Sequence, residues 1–357
     1  MNLLRVRRIV TKIIGLILLV GAYSCGRAVL QNNGQSVTGN IAAWARSHHL
    51  NFVVDAAEKI RYGNPPSEQE AKSFPLAPLD SVLETDTPAP LPVFQTSPLP
   101  GEGVWTPVRS KGTRPIVWVA ANRPSKKFKS VTATYALIDQ QELTARLYKG
   151  TELPGGNNWV DGNHVLKEDV QNLVFAFNGG FLKNHSKGGY FTEGRELWKL
   201  KDGAATLAID SDGHIHIGAW GKDIPTGGWK GQKWVSVRQN LLPAVSNGIV
   251  SPELVSGYWG GGKNGEIYVL RSGICERNDG RLLFIIIGDA DATMTATAMR
   301  DADCKNAMFL DLNETYPRGY VFTNGLPKKI DTRMWGRDDQ YLTKSLREFF
   351  TLSTTTD

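Results

Sequence analysis

The sequence predicts an α+β fold: a mostly antiparallel mixed sheet with one or two βαβ-like crossovers, behind a short helical segment and a proline-rich linker. Three features predict it. Residues 206–209 and 214–217 are β-rich runs flanking Asp210-Ser211-Asp212-Gly213, and residues 267–275 and 281–287 flank Asn278-Asp279-Gly280. Asp or Asn leading into Gly between apolar runs supplies the positive φ that tight hairpins need. After Gly288, residues 290–304 read as a helix with Asp289 or Asp291 as its N-cap, and residues 307–312 as one more strand. A strand–helix–strand unit of this kind carries two strands in the same direction.

The elements follow in chain order. Arg5, Arg7, Arg8 and Lys12 precede an apolar run of 11 residues, 13–23. That is the length of a signal-peptide core and short of the ~20 residues needed to span a bilayer. Residues 1–26 are therefore expected to be a signal peptide or membrane anchor, with the protein exported to the periplasm or cell envelope. Cys25 after Ala22-Tyr23-Ser24 resembles a lipoprotein cleavage site; lipidation, simple cleavage and an uncleaved anchor are the three readings. Residues 31–63 form a helical segment, with Val53, Ala56, Ala57 and Ile60 on one face and Trp44 supporting an earlier turn. Ten of the 18 prolines fall between Pro65 and Pro107, so residues 64–102 read as a semi-rigid linker or a strap along the surface. From residue 103 to 357 strand-like runs dominate, among them 116–120, 131–139 and 143–148.

Composition narrows the class. A chain of 357 residues, 41% hydrophobic and 21% charged, can hold one large folded domain with extensions. Its net charge of +6 is spread out beyond the N-terminus, so nucleic acid is not an expected partner. An anionic substrate or membrane face is compatible with that balance. With Cys25 lost or lipidated, Cys275 and Cys304 remain as a disulfide in an oxidising compartment or as two free buried thiols.

Two stretches carry candidate chemistry. Residues 174–177 form an apolar run that ends in Asn178-Gly179-Gly180. Paired glycines admit positive φ and the close approach of a ligand to bare amides, while Asn178 adds an acceptor and two donors. The same turn also forms without any ligand. Gly188 to Glu196 is a second glycine-punctuated approach, with Tyr190, Glu193 and Arg195. In residues 307–316 an apolar strand ends at Asp311, followed by Asn313, Glu314 and Thr315. A carboxylate at a strand end is a candidate acid, base or nucleophile, or the cap of a turn. Arg271 and Arg238 lie within strands, where an arginine takes a structural carboxylate, a substrate phosphate or solvent. Trp220, Trp229, Trp234 and Trp259 cluster in a glycine-rich window and offer flat rings for sugar stacking, or simply core.

Other patterns lead nowhere. His214 and His216 share a strand face without a third ligand, which reads as a solvated face. The Asp289/Asp291 and Asp301/Asp303 pairs lack the rest of a calcium loop. Residues 260–265 imitate a phosphate loop without its Gly-Lys-Ser/Thr ending. No metal and no cofactor is expected.

Taken together and in order, FAFNGGF, SDGHIHIG, RQNLLPAVSNG, RSGICERNDGRL and AMFLDLNET resemble the phosphodiester glycosidase domain family over about residues 103 to 340. The resemblance implies an α+β hydrolase domain, in bacteria often related to exopolysaccharides, whose pocket combines the Asn-Gly-Gly turn, the strand arginine and a late Asp loop. It puts these at Asn178, Gly179 and Gly180, at Arg271, and at Asp311. The family loop reads Leu-Asp-Gly-Gly-Gly-Ser, whereas this chain has Leu310-Asp311-Leu312-Asn313-Glu314-Thr315, with Thr315 supplying the hydroxyl.

The expected activity is hydrolysis of a glycosyl phosphodiester or related envelope linkage, with a carbohydrate or sugar phosphate as partner and membrane association only through the N-terminus. Asp311 and Glu193 are the catalytic candidates. Arg271 is expected to hold the phosphate, with Asn178, Gly179, Gly180, Arg238, Asn313 and Thr315 binding substrate. One alternative is a non-catalytic glycan-binding protein that has lost the glycine-rich loop. Another is a metal-dependent phosphodiesterase using Asp311, Asp289 and Glu193.

Overall fold

The computed structural model describes residues 3–30, 37–82, 87–255 and 267–354. Trp259 and the loop 260–265 lie outside these. The chain divides into two units, Met1–Arg61 and Tyr62–Asp357. In the first, the apolar run 13–23 sits inside a longer helix, Leu3–Val29, followed by Val37–Ser47 and Asn51–Tyr62. Among the described residues no helix is long and apolar enough to cross a membrane. Trp44 donates its indole N–H to Ser24 Oγ at 3.0 Å, and Cys25 is a free thiol.

The second unit is α+β, as expected. Every strand pair in its three sheets is antiparallel. The largest has eight strands, with Leu282–Ala290, Val269–Arg277 and Cys304–Leu312 as neighbours in that order. The crossover helix, Ala292–Asp301, is capped by Asp291, which accepts from Met294 N at 2.7 Å. It joins two strands of the same direction, yet they are not adjacent: Val269–Arg277 lies between them, antiparallel to both. The second sheet has five strands, with Trp234–Gln239 at its centre beside Tyr190–Thr192 and Ala205–Asp210. The third, also five, centres on Leu173–Asn178 between Gly319–Thr323 and Phe349–Thr354.

One apolar cluster fills the space among the three sheets, with Phe284 and Ile286 from the first, Leu207 and Ile209 from the second, and Phe175, Phe177 and Phe350 from the third. The other face of the large sheet packs a second cluster, including Ala296 and Met299 of the helix with Trp105, Trp118 and Ile285. Strands buried on both faces read as continuous apolar runs, and Leu282–Ala290 is one.

The proline-rich stretch is not a free spacer. Ala77 N donates to Ile330 O, Leu91 N to Gly103 O and Val82 N to Pro107 O. Asn122 Nδ2 donates to Pro92 O at 3.0 Å, and Trp105 Nε1 to Ala89 O at 3.0 Å. Extended, donor-poor backbone of this kind lies along a surface and takes single bonds from it. The strap's end is pinned by a fully buried ion pair, Arg123 Nη2 to Glu102 Oε2 at 2.7 Å.

Cys275 and Cys304 form a disulfide 29 residues apart. It clamps Val269–Arg277 to the start of Cys304–Leu312, the strand whose far end carries Asp311. Closing a loop of that size in the unfolded chain is worth roughly 3–4 kcal/mol. The double variant Cys275→Ala/Cys304→Ala is expected to lose roughly 2–4 kcal/mol of unfolding free energy. Urea denaturation with and without dithiothreitol tests this: reductant should destabilise the parent protein to the same level and leave the variant unmoved.

Candidate functional site

Strand ends from all three sheets meet at one charged cluster. Its centre is Arg347-Glu348, the two residues that lead into Phe349–Thr354. Arg347 Nη2 lies 2.8 Å from Asp311 Oδ2 and donates to Gly180 O at 2.7 Å, and its guanidinium stacks 3.9 Å over the Tyr316 ring. Glu348 Oε1 accepts from Arg238 Nε at 2.9 Å, and Glu348 O accepts from Gly179 N at 3.1 Å. Arg238 spends its other nitrogens on the carbonyls of Gln239 and Phe181. Neither Arg347 nor Glu348 stood out in the sequence; the only signal was a pair of opposite charges at the mouth of an apolar strand.

The Asn178 turn is held by the same pair. Asn178 Oδ1 accepts from Arg318 N and its Nδ2 donates to Gly179 O, both at 2.9 Å. The two glycines are required, though not for the reason expected. Neither adopts a positive φ. A β-carbon on Gly179 would sit 2.5 Å from Glu348 Cγ, and one on Gly180 would sit 3.0 Å from Asn240 Cγ and 3.2 Å from Arg238 Nη2. The side chains of this cluster therefore occupy the space that glycine leaves. Asn240 completes the frame, taking Phe181 N at 3.0 Å and donating to Phe309 O and Leu310 O at 2.8 and 3.0 Å.

Asp311 reaches the cluster through a bulge. Arg271 pairs with Leu312 and Gly273 with Phe309, so Ser272 alone opposes Leu310 and Asp311. Bulges of this kind re-aim a side chain at a sheet end. Asp311 Oδ1 accepts from Leu312 N at 2.7 Å. Burial pushes its carboxyl up from 3.8 to about 6, against the pull of Arg347 and the Leu312 amide. Among the buried polar atoms here that make no hydrogen bond within the described residues are Glu348 Oε2, Arg318 Nε and the Tyr190 hydroxyl. Tyr190 is buried and lies within the fields of Glu348, Arg238 and Glu193.

Residues 171–311 match the phosphodiester glycosidase family model. The resemblance read from the sequence is borne out over this stretch, which runs from just before the Asn178 strand to Asp311 itself. No curated protein matches the chain significantly. Among solved structures it is similar to the catalytic domain of zebrafish N-acetylglucosamine-1-phosphodiester alpha-N-acetylglucosaminidase, auto-inhibited by its pro-peptide, at 12% identity over 80% of this chain and 97% of that one, TM-score 0.45. It is also similar to a hypothetical protein from Synechocystis, at 8% identity over 66% and 64%, TM-score 0.35. A Burkholderia pseudomallei protein follows at 11% identity over 62% and 74%, TM-score 0.33.

Within and beside the matched stretch, the structure places four of the expected groups differently from the sequence reading. Arg271 does not face Asp311: it donates to Ala290 O at 2.7 Å and Ile267 O at 3.0 Å, and burial draws its pKa down to about 10. Its register partner is Leu312, whose neighbour Asp311 turns instead to Arg347. Glu193 is engaged in an ion pair with buried Lys149 and accepts from the amides of Val160 and Asp161 at 3.1 and 3.2 Å. Those contacts outweigh burial and hold it below its ordinary value. Arg238 is buried against Glu348 rather than open to substrate. Asn313 and Thr315 satisfy each other: Asn313 Oδ1 accepts from the Thr315 amide and hydroxyl and from Tyr316 N, at 2.7, 2.9 and 2.8 Å. Asn313 has φ 148°, a backbone region that glycine normally fills, at one of the positions where the family loop has glycine.

His216 is also buried rather than solvated, with Nε2 2.7 Å from Asp210 Oδ2 and its ring 4.5 Å from that of Trp229. Trp220 and Trp234 belong to a small apolar cluster beside it. Among the described residues no three His, Cys, Asp or Glu side chains group as metal ligands, so Asp311, Asp289 and Glu193 do not come together.

The Asp311 carboxyl has a folded-state pKa above its unfolded value. It therefore favours the native state fully below pH 3.8, and that contribution is lost as pH rises through about 6. The loss is of order 3 kcal/mol. Asp311→Asn removes the titration, so unfolding free energies measured between pH 4 and 7 should fall less steeply with pH in the variant. Parallel curves would assign the shift elsewhere.

Proposed function

We propose that the protein is an exported hydrolase that cleaves the C1–O bond of a glycosyl phosphodiester, or of a related linkage in a cell-envelope glycan or exopolysaccharide. The observation that carries this reading is Asp311: a buried carboxyl poised near pH 6, touching a guanidinium that also holds the Asn-Gly-Gly turn. The family match over residues 171–311 supports a glycosidase-type hydrolysis. Asp311 takes the proton of an attacking water, or attacks C1 to form a glycosyl ester that water then cleaves. The C1–O electron pair leaves on the phosphate oxygen, which needs little acid assistance because a phosphate monoester is already a good leaving group. Arg347 keeps Asp311 ionised at neutral pH. Glu348 Oε2 and the Tyr190 hydroxyl are the uncommitted acceptor and donor for sugar hydroxyls. The disulfide supports export to an oxidising compartment.

A second reading, a glycan-binding protein without turnover, is favoured by the commitment of both Asp311 oxygens to Arg347 and the Leu312 amide. Glycan binding with no release of sugar or phosphate from any phosphodiester-linked donor would select it.

For the hydrolase, Asp311→Asn should lower kcat by at least about 1000-fold, in the range of loss of a catalytic carboxylate, with an unchanged circular dichroism spectrum. Activity of the parent protein should rise with pH through about 6. Arg347→Met removes the charge that lowers the Asp311 pKa, so its acid limb should move to higher pH. Turnover retained in Asp311→Asn would refute the assignment.

A further inference from the structure

We propose that Arg318 is the phosphate subsite: the residue that takes the anionic group of a sugar phosphodiester or sugar phosphate. Five arginines are buried among the described residues: Arg123, Arg238, Arg271, Arg277 and Arg318. Four have counterparts. Arg123 pairs with Glu102 at 2.7 Å and Arg238 with Glu348 at 2.9 Å. Arg277 lies 3.3 and 3.5 Å from Asp279 and Asp303, and Arg271 donates to two carbonyls. The Arg318 guanidinium makes no hydrogen bond or ion pair among the described residues, and its Nε is wholly enclosed. Arg109 also has an unpartnered Nε, but it is only half-buried, on an edge strand.

A guanidinium cannot shed its charge, and burying one without a counter-charge costs several kcal/mol. The Arg318 backbone joins the reacting groups, while its guanidinium lies toward Gly336 and among Tyr316, Tyr320 and Tyr341. The Arg318 N–H and C=O both bond to Asn178. Tyr316 and Tyr341 each lie within the fields of Arg318, Arg347 and Asp311. The charges also fit. Arg347 with Asp311 and Arg238 with Glu348 are ion pairs, and Asp338 and Asp339, which share the field at Tyr320, pair with Lys329 and Arg337, which leaves Arg318 without a paired carboxylate among the described residues. A phosphodiester carries one negative charge, and the fork of guanidinium N–H groups matches two phosphate oxygens. The choice of phosphate over another anion rests on the hydrolase reading above; the capacity to take an anion rests on the unpaired Arg318 guanidinium alone.

The test is thermal unfolding and calorimetric titration of the full chain with inorganic phosphate and with glucose 1-phosphate, against chloride and glucose at matched ionic strength. Both phosphates should bind saturably and raise Tm. In Arg318→Met the affinity should drop at least tenfold and the Tm rise should vanish, while the Tm in chloride alone stays equal to or above that of the parent. Arg318→Lys, which keeps the charge and loses the fork, should fall between. Phosphate binding of parental strength in Arg318→Met overturns the proposal, as does a parent protein indifferent to both phosphates. Arg318-dependent binding in a protein that hydrolyses no glycosyl phosphodiester would leave the anion subsite standing and remove the hydrolase reading. Hydrolysis with an unchanged KM in Arg318→Met would do the reverse.

Discussion

The second unit depends on a pair of neighbouring opposite charges, Arg347 and Glu348, each bonded to a different sheet. Arg347 reaches Asp311 at the end of the large sheet, and Glu348 reaches Arg238 in the second, while their own backbone starts a strand of the third. Buried ion pairs add little net stability, because desolvation offsets most of the attraction. Removing one partner, however, costs about 3–5 kcal/mol by stranding the other. Two such pairs on consecutive residues thus penalise any relative slip of three sheets. Apolar packing among Phe284, Leu207 and Phe350 brings the sheets together; the ion pairs decide how their ends line up.

That constraint explains local choices which otherwise look like generic turn chemistry. Gly179 and Gly180 lack side chains because Glu348, Asn240 and Arg238 lie against them. Asn178 is bonded on both sides, to Arg318 and to Gly179. The bulge opposite Ser272 sets Asp311 toward Arg347 while Arg271 stays on the side of Leu312. The disulfide locks the opposite end of the same two strands, so the irregular end is where the ladder can be distorted without unzipping.

The altered Asp loop is less of a departure than its letters imply. Asn313 takes up a glycine-like φ and pays for it locally with three hydrogen bonds to its side-chain oxygen. Asparagine tolerates such backbone better than most residues, because its short amide can cap the turn it creates. The loop keeps an unusual path, and its Asn313 and Thr315 side chains hold the turn instead of lining an open cradle, while Glu314 is exposed.

What the sequence determined by itself was whatever depends on neighbours along the chain. The hairpins at Gly213 and Gly280, the helix capped by Asp291, and the strands ending at Asn178 and Asp311 all follow from local patterns of turn residues and apolar runs. The family match over residues 171–311 was legible for the same reason, since its motifs are short and contiguous. Only the tertiary structure decided which charge meets which. Arg271 and Arg347 are both arginines beside strand residues, and nothing within a few positions of either tells that one donates to carbonyls while the other faces Asp311. Glu193 and Glu348 differ in the same way. A carboxylate's partner is fixed by the register and bulges of strands from about forty to more than a hundred residues apart, and electrostatic energy depends on distance in space, which no local pattern encodes.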